Sequence, residues 1–445
     1  MILGAGPAGL AVAAALAEAG RGCLVVDPAD RAGGSIRTTR EDGWIVETGP
    51  NTLQLEHQAD HELLCSYGLQ NEIQEARSAS AKRFILSHGV LHGLRPHPLS
   101  LLTSGLLSPL GKLRLLAEPL MPRGGHVGET VAAFARRRFG REAAARLMDP
   151  VVSGVHAGDP ERLDMAACFP SVHRLEAEHG SVILGLLRRR GSVRKVVGFR
   201  RGMQQLADAM RAKAERSGEF RLGWRAQRLS REGRGWTAVL RRDSDGSESP
   251  VRCDKVVVTI PPWKWRDGPF SGALLERLAP WTRCEAPPVT VVARGYRTER
   301  IRHALDGFGY LTPGEEARRV LGCLFPSSVL PGRAPEGRAL FCCFLGGARQ
   351  PAVARRDDDE IRGMVDRELA ETVGAEGPPE REWIQRWEQA IPQYDHDQRR
   401  REGCLEALER EEPDLRFHGA FRGGISLMHA VRAGDALGRG LAQRR

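Results

Sequence analysis

The stretch Ile2-Leu3-Gly4-Ala5-Gly6-Pro7-Ala8-Gly9 constrains this chain more than any other. A short apolar strand runs into G-x-G-x-x-G, and small apolar residues continue at helical spacing from Leu10 to Ala17. Cys23-Leu24-Val25-Val26 repeats the strand pattern and ends on Asp27, 18 residues beyond Gly9. Each position has a physical reason if the unit holds a dinucleotide. Gly4 permits the tight turn, Gly6 lets backbone approach a pyrophosphate, and Gly9 lets the helix close on the strand. Pro7 and Ala8 open that helix, whose free N–H groups and positive dipole end suit a phosphate. Asp27 is placed to accept hydrogen bonds from ribose hydroxyls. The expected architecture is an α/β fold built on a doubly wound, Rossmann-type domain.

The next stretch narrows the nucleotide. Asp30-Arg31-Ala32-Gly33-Gly34-Ser35-Ile36-Arg37-Thr38 adds a second glycine pair and a basic residue, Arg31, near the same phosphates. Asp42 to Asn51 follows, ending Gly49-Pro50-Asn51. A simple NAD-binding unit has no need for this second set. Together the two stretches resemble the N-terminal signature of the FAD oxidoreductases that include amine oxidases, phytoene desaturases and protoporphyrinogen oxidases. The resemblance implies FAD, held by Gly33, Gly34, Gly49, Pro50 and Asn51 as well as by the opening motif, with the reaction still open.

Composition removes several other classes. At 445 residues the chain should hold two or three domains, with a core large enough to bury a ligand. No apolar run approaches the roughly 18 residues that span a bilayer. The opening strand has no basic leader, so the chain is expected to stay in the cytoplasm, with attachment to the inner membrane surface left open. The nine cysteines are scattered without C-x-x-C, which argues for reduced thiols rather than zinc or disulfides. His57 with His61, and His88 with His92, fall at i, i+4, but neither pair has a third ligand nearby, so no metal is expected. Net charge is +10, yet six lysines stand beside sixty arginines, a coding bias more than a nucleic-acid signal. With aromatics at 6%, no nucleic-acid partner is expected.

Along the chain, Asp60 to Leu69 reads as a helix and Arg83-Phe84-Ile85-Leu86 as a strand turning at Ser87-His88-Gly89. Residues from Pro96 to Arg190 are helical in character, and Arg136-Arg137-Arg138 reads as a solvated helix face. Val196 to Met210 is strand–turn–helix, and Arg221 to Leu240 alternates like a hairpin or meander. Val256 to Ile260 is a buried strand stopped by Pro261. Further strands are expected at 289–293, 320–325, 339–345 and 415–418, with helices at 359–373 and at the end of the chain. There is no repeat and no low-complexity linker, so the domains should interleave in sequence.

Asp149-Pro150-Val151-Val152-Ser153-Gly154-Val155-His156-Ala157-Gly158-Asp159-Pro160-Glu161-Arg162-Leu163 closely resembles a segment characteristic of protoporphyrinogen/coproporphyrinogen oxidases. Cys168-Phe169-Pro170, Gly202-Met203-Gln204, Val258-Thr259-Ile260-Pro261, Gly307 to Leu311 and Ala390 to Tyr394 follow in that family's order. The resemblance implies three discontinuous parts. An FAD domain takes residues 1–54, 191–262 and 400–445. A sheet-based substrate domain takes 55–92 and 263–399, and a helical membrane-surface domain takes 93–190. It implies oxidation of protoporphyrinogen IX to protoporphyrin IX on CH–CH groups, six electrons leaving in three steps to the flavin and on to dioxygen. No side chain is then required as an acid or base.

The same resemblance assigns positions. Arg83 would meet a propionate carboxylate, with Phe84 beside it. Gly154 would face the tetrapyrrole, and Leu311, Leu324, Phe344 and Phe308 would enclose it. Thr259, Trp387, Ser426 and Leu427 would lie at the cofactor. Two departures stand out. Only Ile2 and Leu3 separate Met1 from Gly4, which suggests residues missing ahead of Ile2. Met428 and His429 replace the polar residues usual there, so contacts with the flavin come from backbone or are weakened. The alternatives are a coproporphyrinogen III oxidase, an amine or polyene oxidase of the same superfamily, and a non-catalytic protein of the same fold. A homodimer, and hand-over of product to a ferrochelatase, are the further partners the resemblance suggests.

Overall fold

A computed structural model of the chain describes residues 1–95, 97–188 and 195–443. The nucleotide-type strands form one five-stranded parallel sheet, in the order Glu219–Leu222, Leu24–Asp27, Ile2–Leu3, Val256–Val258, Leu415–Phe417. Four of them lie where the apolar runs put them. Glu219–Leu222 departs from the sequence reading, which gives Arg221 to a hairpin. Phe220 and Arg221 instead pair with Val25 and Val26, and Gly223, at φ +75, turns the chain into the meander. Alternation identifies a strand but not the sheet it joins.

Helix Pro7–Glu18 lies on one face of this sheet, with Ala8 through Ala15 all buried. The final helix, Leu427–Gln443, crosses it at Gly434 and Gly438, where a Cβ would lie 2.8 Å from Ala8 O and 2.7 Å from Val12 O. Contacts advance together along both helices, so their N-termini point the same way. The final helix reaches about six residues, ~9 Å, beyond the first. Two positive dipole ends thus converge at the C-terminal edge of the sheet. On the opposite face, Leu229, Trp236, Ala238 and Leu240 of an antiparallel meander pack with Trp265, Trp281, Leu405 and Phe417.

The second sheet has seven strands, ordered Arg381–Trp387, Val289–Arg297, Arg338–Gly346, Val320–Leu324, Gly309–Leu311, Arg83–Ser87, Val90–Leu94. Its pairs are antiparallel except Gly309–Leu311 with Arg83–Ser87. Helix Asp358–Thr372 covers one face through Ile361, Val365 and Leu369, which meet Val292, Tyr310, Cys323 and Cys343. The other face is left to the site.

Residues 98–188 are mostly helical around Val131, Phe134, Val152, Leu163, Met165 and Val182. The change of domain expected at residue 190 lies outside the described residues. The arginine run is a correction. Arg138 is fully buried against Glu118, and Arg137 is held by Glu129 and Glu176. Arg136 alone is a surface residue, paired with Glu161 at 2.5 Å. Burial pushes the Glu118 carboxyl up, but hydrogen bonds from Ser181, Arg138 and the Val182 and Ile183 N–H groups outweigh it and hold it below the ordinary value. These carboxylates come from residues 8 to 39 positions away, which no helical periodicity reveals.

Candidate active site

The turn after Ile2–Leu3 is built as its glycines require, though for different reasons. Gly4 sits at φ +112, where a Cβ would also lie 2.6 Å from Thr259 Oγ1. A Cβ on Gly9 would lie 2.0 Å from Gly4 O, so the helix meets the strand backbone to backbone. Gly6 is different, because the nearest atom to a Cβ there is Gly34 Cα at 3.9 Å. The protein's own packing does not exclude a side chain at Gly6, and the clearance opens outward beside a helix start with no side-chain cap. That cradle, with Pro7, Ala8 and Gly9 forming the first turn, fits a pyrophosphate.

Asp27 ends its strand beside the cradle and accepts from Ala5 N–H at 2.7 Å and Ala29 N–H at 2.9 Å. Burial pushes its carboxyl up against these bonds. Gly33 and Gly34, at φ +119 and +54, fold the following loop back so that Gly33 N–H reaches Ala5 O at 2.8 Å. Arg31, expected near the phosphates, braces the loop that carries the second glycine pair. Its guanidinium donates to Ile36 O and Gly34 O, both at 2.9 Å, and so shapes the glycine loop from behind. Thr259 likewise serves the turn, donating to Leu3 O at 2.9 Å. Arg37, which the sequence reading passed over, leaves this loop for Gln385 on the seven-stranded sheet. Its place three residues after the glycine pair was the available signal.

The second stretch links the two sheets. Gly49 lies against Ser35, where a Cβ would fall 1.9 Å from the carbonyl oxygen. Trp387 donates its indole N–H to Thr48 O at 2.8 Å. Asn51, after Pro50, gives its amide N–H to Gly49 O at 3.1 Å, while its Oδ1 is buried without a partner. Thr48 Oγ1 is buried and unpartnered too. Two orphaned polar atoms beside an indole are what the polar edge of a flavin would satisfy. Asn51 also lines a narrow void together with Phe308, Leu324, Glu47 and Arg333, so the expected cofactor and substrate residues meet there.

Strand register arranges the open sheet face in rows. Leu311, Gly322, Phe344 and Val291 oppose one another in one row, and Gly309, Leu324, Cys342 and Ala293 in the next. Leu311, Leu324, Phe344 and Phe308 all remain partly exposed. Arg83 stacks its guanidinium over Phe308, 5.0 Å from the ring centroid, and has no carboxylate partner among the described residues. Phe84 is a correction. It pairs with Tyr310 on the far face and is 3% exposed, packed edge-on to His303 at 4.8 Å. Strand alternation puts neighbours on opposite faces, so Phe84 belongs to the core under helix Asp358–Thr372. Gly154 faces the site from helix Asp149–His156, where a Cβ would lie 2.3 Å from Leu311 Cδ2.

Ser426 and Leu427 start the final helix, and with Gly424 they border a cavity of about 330 Å³ that reaches Phe169, Tyr394 and His156. Met428 is 2% exposed in the core beneath helix Pro7–Glu18, and His429 packs on Gly423 and Gly424. The segment therefore offers a ligand the backbone at Gly424 and the exposed Ser426, with His429 also at the cavity wall. Burial holds His156 down at about 4, so its ring is neutral, and its Nδ1 has no partner.

A family model for flavin containing amine oxidoreductases matches residues 7–432. The chain is 31% identical to the mitochondrial protoporphyrinogen oxidase of Nicotiana tabacum, across 97% of this chain and 92% of that one. It belongs to the flavin-containing amine oxidoreductase family, among its porphyrinogen oxidases. This flavin oxidoreductase is also 25% identical to the coproporphyrinogen III oxidase of Bacillus subtilis, across 93% and 90% of the two chains. A solved structure from an Exiguobacterium species, provisionally a protoporphyrinogen oxidase, matches it with a TM-score of 0.83. That match is 20% identical, covers 100% of this chain and 98% of the other, and shows the fold. The family's cofactor is FAD, and the cradle at Gly6 and the orphaned atoms at Thr48 and Asn51 fit it. All four tyrosines of this oxidoreductase are buried, at 7% exposure or less, so none stands over the open sheet face as part of an aromatic cage.

Proposed function

We propose that this chain oxidises protoporphyrinogen IX to protoporphyrin IX, with dioxygen as the final acceptor. The observation that carries the reading is the open face of the seven-stranded sheet. Leu311, Leu324 and Phe344 form an apolar floor, Gly154 lets helix Asp149–His156 close onto its edge at Leu311, and an unpaired Arg83 stands at the rim. FAD, when bound, supplies the acceptor for each of three electron pairs. The chain supplies position. Gly6, Pro7, Ala8 and Gly9 hold the pyrophosphate, Asp27 the ribose, and Thr48 and Asn51 the polar edge of the ring. The apolar floor excludes water, and Arg83 pairs with a propionate. The 31% relative is named for protoporphyrinogen and the 25% one for coproporphyrinogen III, which favours the former.

The proposal keeps the three-part division, with 1–54, 191–262 and 400–445 for FAD, 55–92 and 263–399 for substrate, and 93–190 for a membrane surface. Leu110, Leu113 and Leu120 are 78%, 64% and 82% exposed at three- and seven-residue spacing, which supports a peripheral attachment. Among the described residues no helix is long and apolar enough to cross a membrane. The deciding experiment mixes FAD-loaded protein anaerobically with protoporphyrinogen IX, coproporphyrinogen III or a primary amine and follows the flavin absorbance. Fast bleaching by the first is the expected result. Faster bleaching by the second reassigns the substrate, and bleaching by the amine alone overturns the reading.

A further inference from the structure

We propose that Asp149 and Arg349 are positioning residues, clamping helix Asp149–His156 at a fixed height above the apolar sheet face. They would thereby fix how closely Gly154 packs on Leu311, and so the shape of the helix wall beside the face that receives a flat substrate. The inference rests on the reading above and adds what fixes that wall.

The helix touches the sheet at its middle. Gly154 has no positive φ, so its need is for space, and Leu311 Cδ2 fills the place a Cβ would take. Both ends are tied down beyond that contact. At the first turn, Asp149 Oδ1 accepts from Arg349 Nη1 and Oδ2 from Gly314 N–H, each at 2.6 Å. Gly314 closely follows Leu311 in sequence and Arg349 closely follows Phe344, so each bond ends in the turn just beyond a strand that carries a residue of the apolar face. At the last turn, Ala157 takes the left-handed conformation at φ +48, and its carbonyl accepts from Ala348 N–H at 2.7 Å. Gly347 is compressed beside it, where a Cβ would lie 2.7 Å from Ala157 O. The ties are eight residues of helix apart, about 12 Å.

The preceding chain does not set this height. Ala144–Met148 is a π segment running into Pro150, whose missing N–H and ring break the regular ladder. Direction is therefore not passed on rigidly from Arg141–Ala143, and the helix must be located by its ends. The C-terminal tie is backbone to backbone, whereas the N-terminal tie is an ion pair. Its side chains are 13% and 25% exposed, which shields it more than a surface pair. A carboxylate in the first turn also suits the helix dipole. Without Asp149 the first turn loses both bonds, and Gly154, five positions on, is free to lift from Leu311.

The test uses FAD-loaded protein with Asp149→Ala, Arg349→Ala and Asp149→Asn. Three readouts are KM and kcat for protoporphyrinogen IX, Kd for protoporphyrin IX by fluorescence quenching, and amide hydrogen exchange across 149–157. In Asp149→Ala and Arg349→Ala, KM and Kd should rise about tenfold, the effect of losing one charge-assisted bond. Over the same comparison kcat should move less than about twofold, and exchange at 151–154 should quicken. Asp149→Asn keeps an acceptor for Gly314 N–H and should fall between. Adding Arg349→Gln to it restores an amide pair and should recover most of the affinity. Unchanged exchange and Kd in Asp149→Ala overturn the clamp, as does a variant that loses melting temperature and kcat at constant KM. Failure of the unsubstituted protein to turn over porphyrinogen overturns the functional reading instead, and the exchange data then decide the clamp alone.

Discussion

Arg83 and Phe84 are neighbours in sequence and belong to different parts of the molecule. Arg83 reaches the site rim over Phe308, so Arg83→Ala should raise the KM for a porphyrinogen about tenfold with kcat nearly kept, as expected for a lost charge-assisted contact. An unchanged KM in steady-state assays removes Arg83 from substrate binding. Glu47 shows a different residue-scale effect. Burial pushes its carboxyl up to about 7, against hydrogen bonds from Thr38 and Met203 N–H and the charge of Arg333. The folded chain therefore holds that proton more tightly than the unfolded chain does. The resulting stabilisation is complete below the ordinary value of 4.5 and is lost as pH rises through about 7. Its full size is roughly 3 kcal/mol. Glu47→Gln should flatten this slope, which urea midpoints measured between pH 5 and 8 will show. None of this was legible beforehand, because Glu47 reads as an ordinary strand end until Met203 and Arg333 fold around it.

At the scale of the element, the opening turn separates two uses of glycine that its motif merges. Gly9→Ala would drive a Cβ to 2.0 Å from the Gly4 carbonyl, a backbone contact with no flexible end to yield. It should cost roughly 3 kcal/mol of stability in the FAD-free protein, seen as a lower melting temperature. At Gly6 a Cβ finds 3.9 Å of clearance, so Gly6→Ala should leave the FAD-free melting point within about 0.5 kcal/mol of normal. It should instead weaken FAD in a fluorescence titration, because the methyl takes the pyrophosphate's place. Equal melting losses in both variants would refute the distinction. The motif was legible as strand–turn–helix because its period and spacing are local. The roles of Arg31 and Thr259 were not, since both depend on which backbone carbonyls the folded loop presents.

At the scale of the whole molecule, two sheets meet where the Thr48 and Asn51 segment abuts Trp387 and Leu324, and the helical block lies over one of them. Its exposed leucines give the prediction at this level. Leu110→Glu with Leu120→Glu should release the protein from vesicles containing anionic lipid while leaving turnover in detergent unchanged, measured by co-sedimentation. Binding that survives both changes would place the attachment elsewhere. The sequence by itself determined the nucleotide-binding unit and four strands of the parallel sheet, because these are written in local periodicity and glycine spacing, whereas the apolar residues of the open face were marked only by the family resemblance. Tertiary structure decided the rest. It moved Phe84 to the core, turned a basic helix face into buried ion pairs, and brought Asp149 to Arg349 across 200 residues. Face and partner depend on pairing register and on charges far away in the chain, and a single strand or helix holds no record of either.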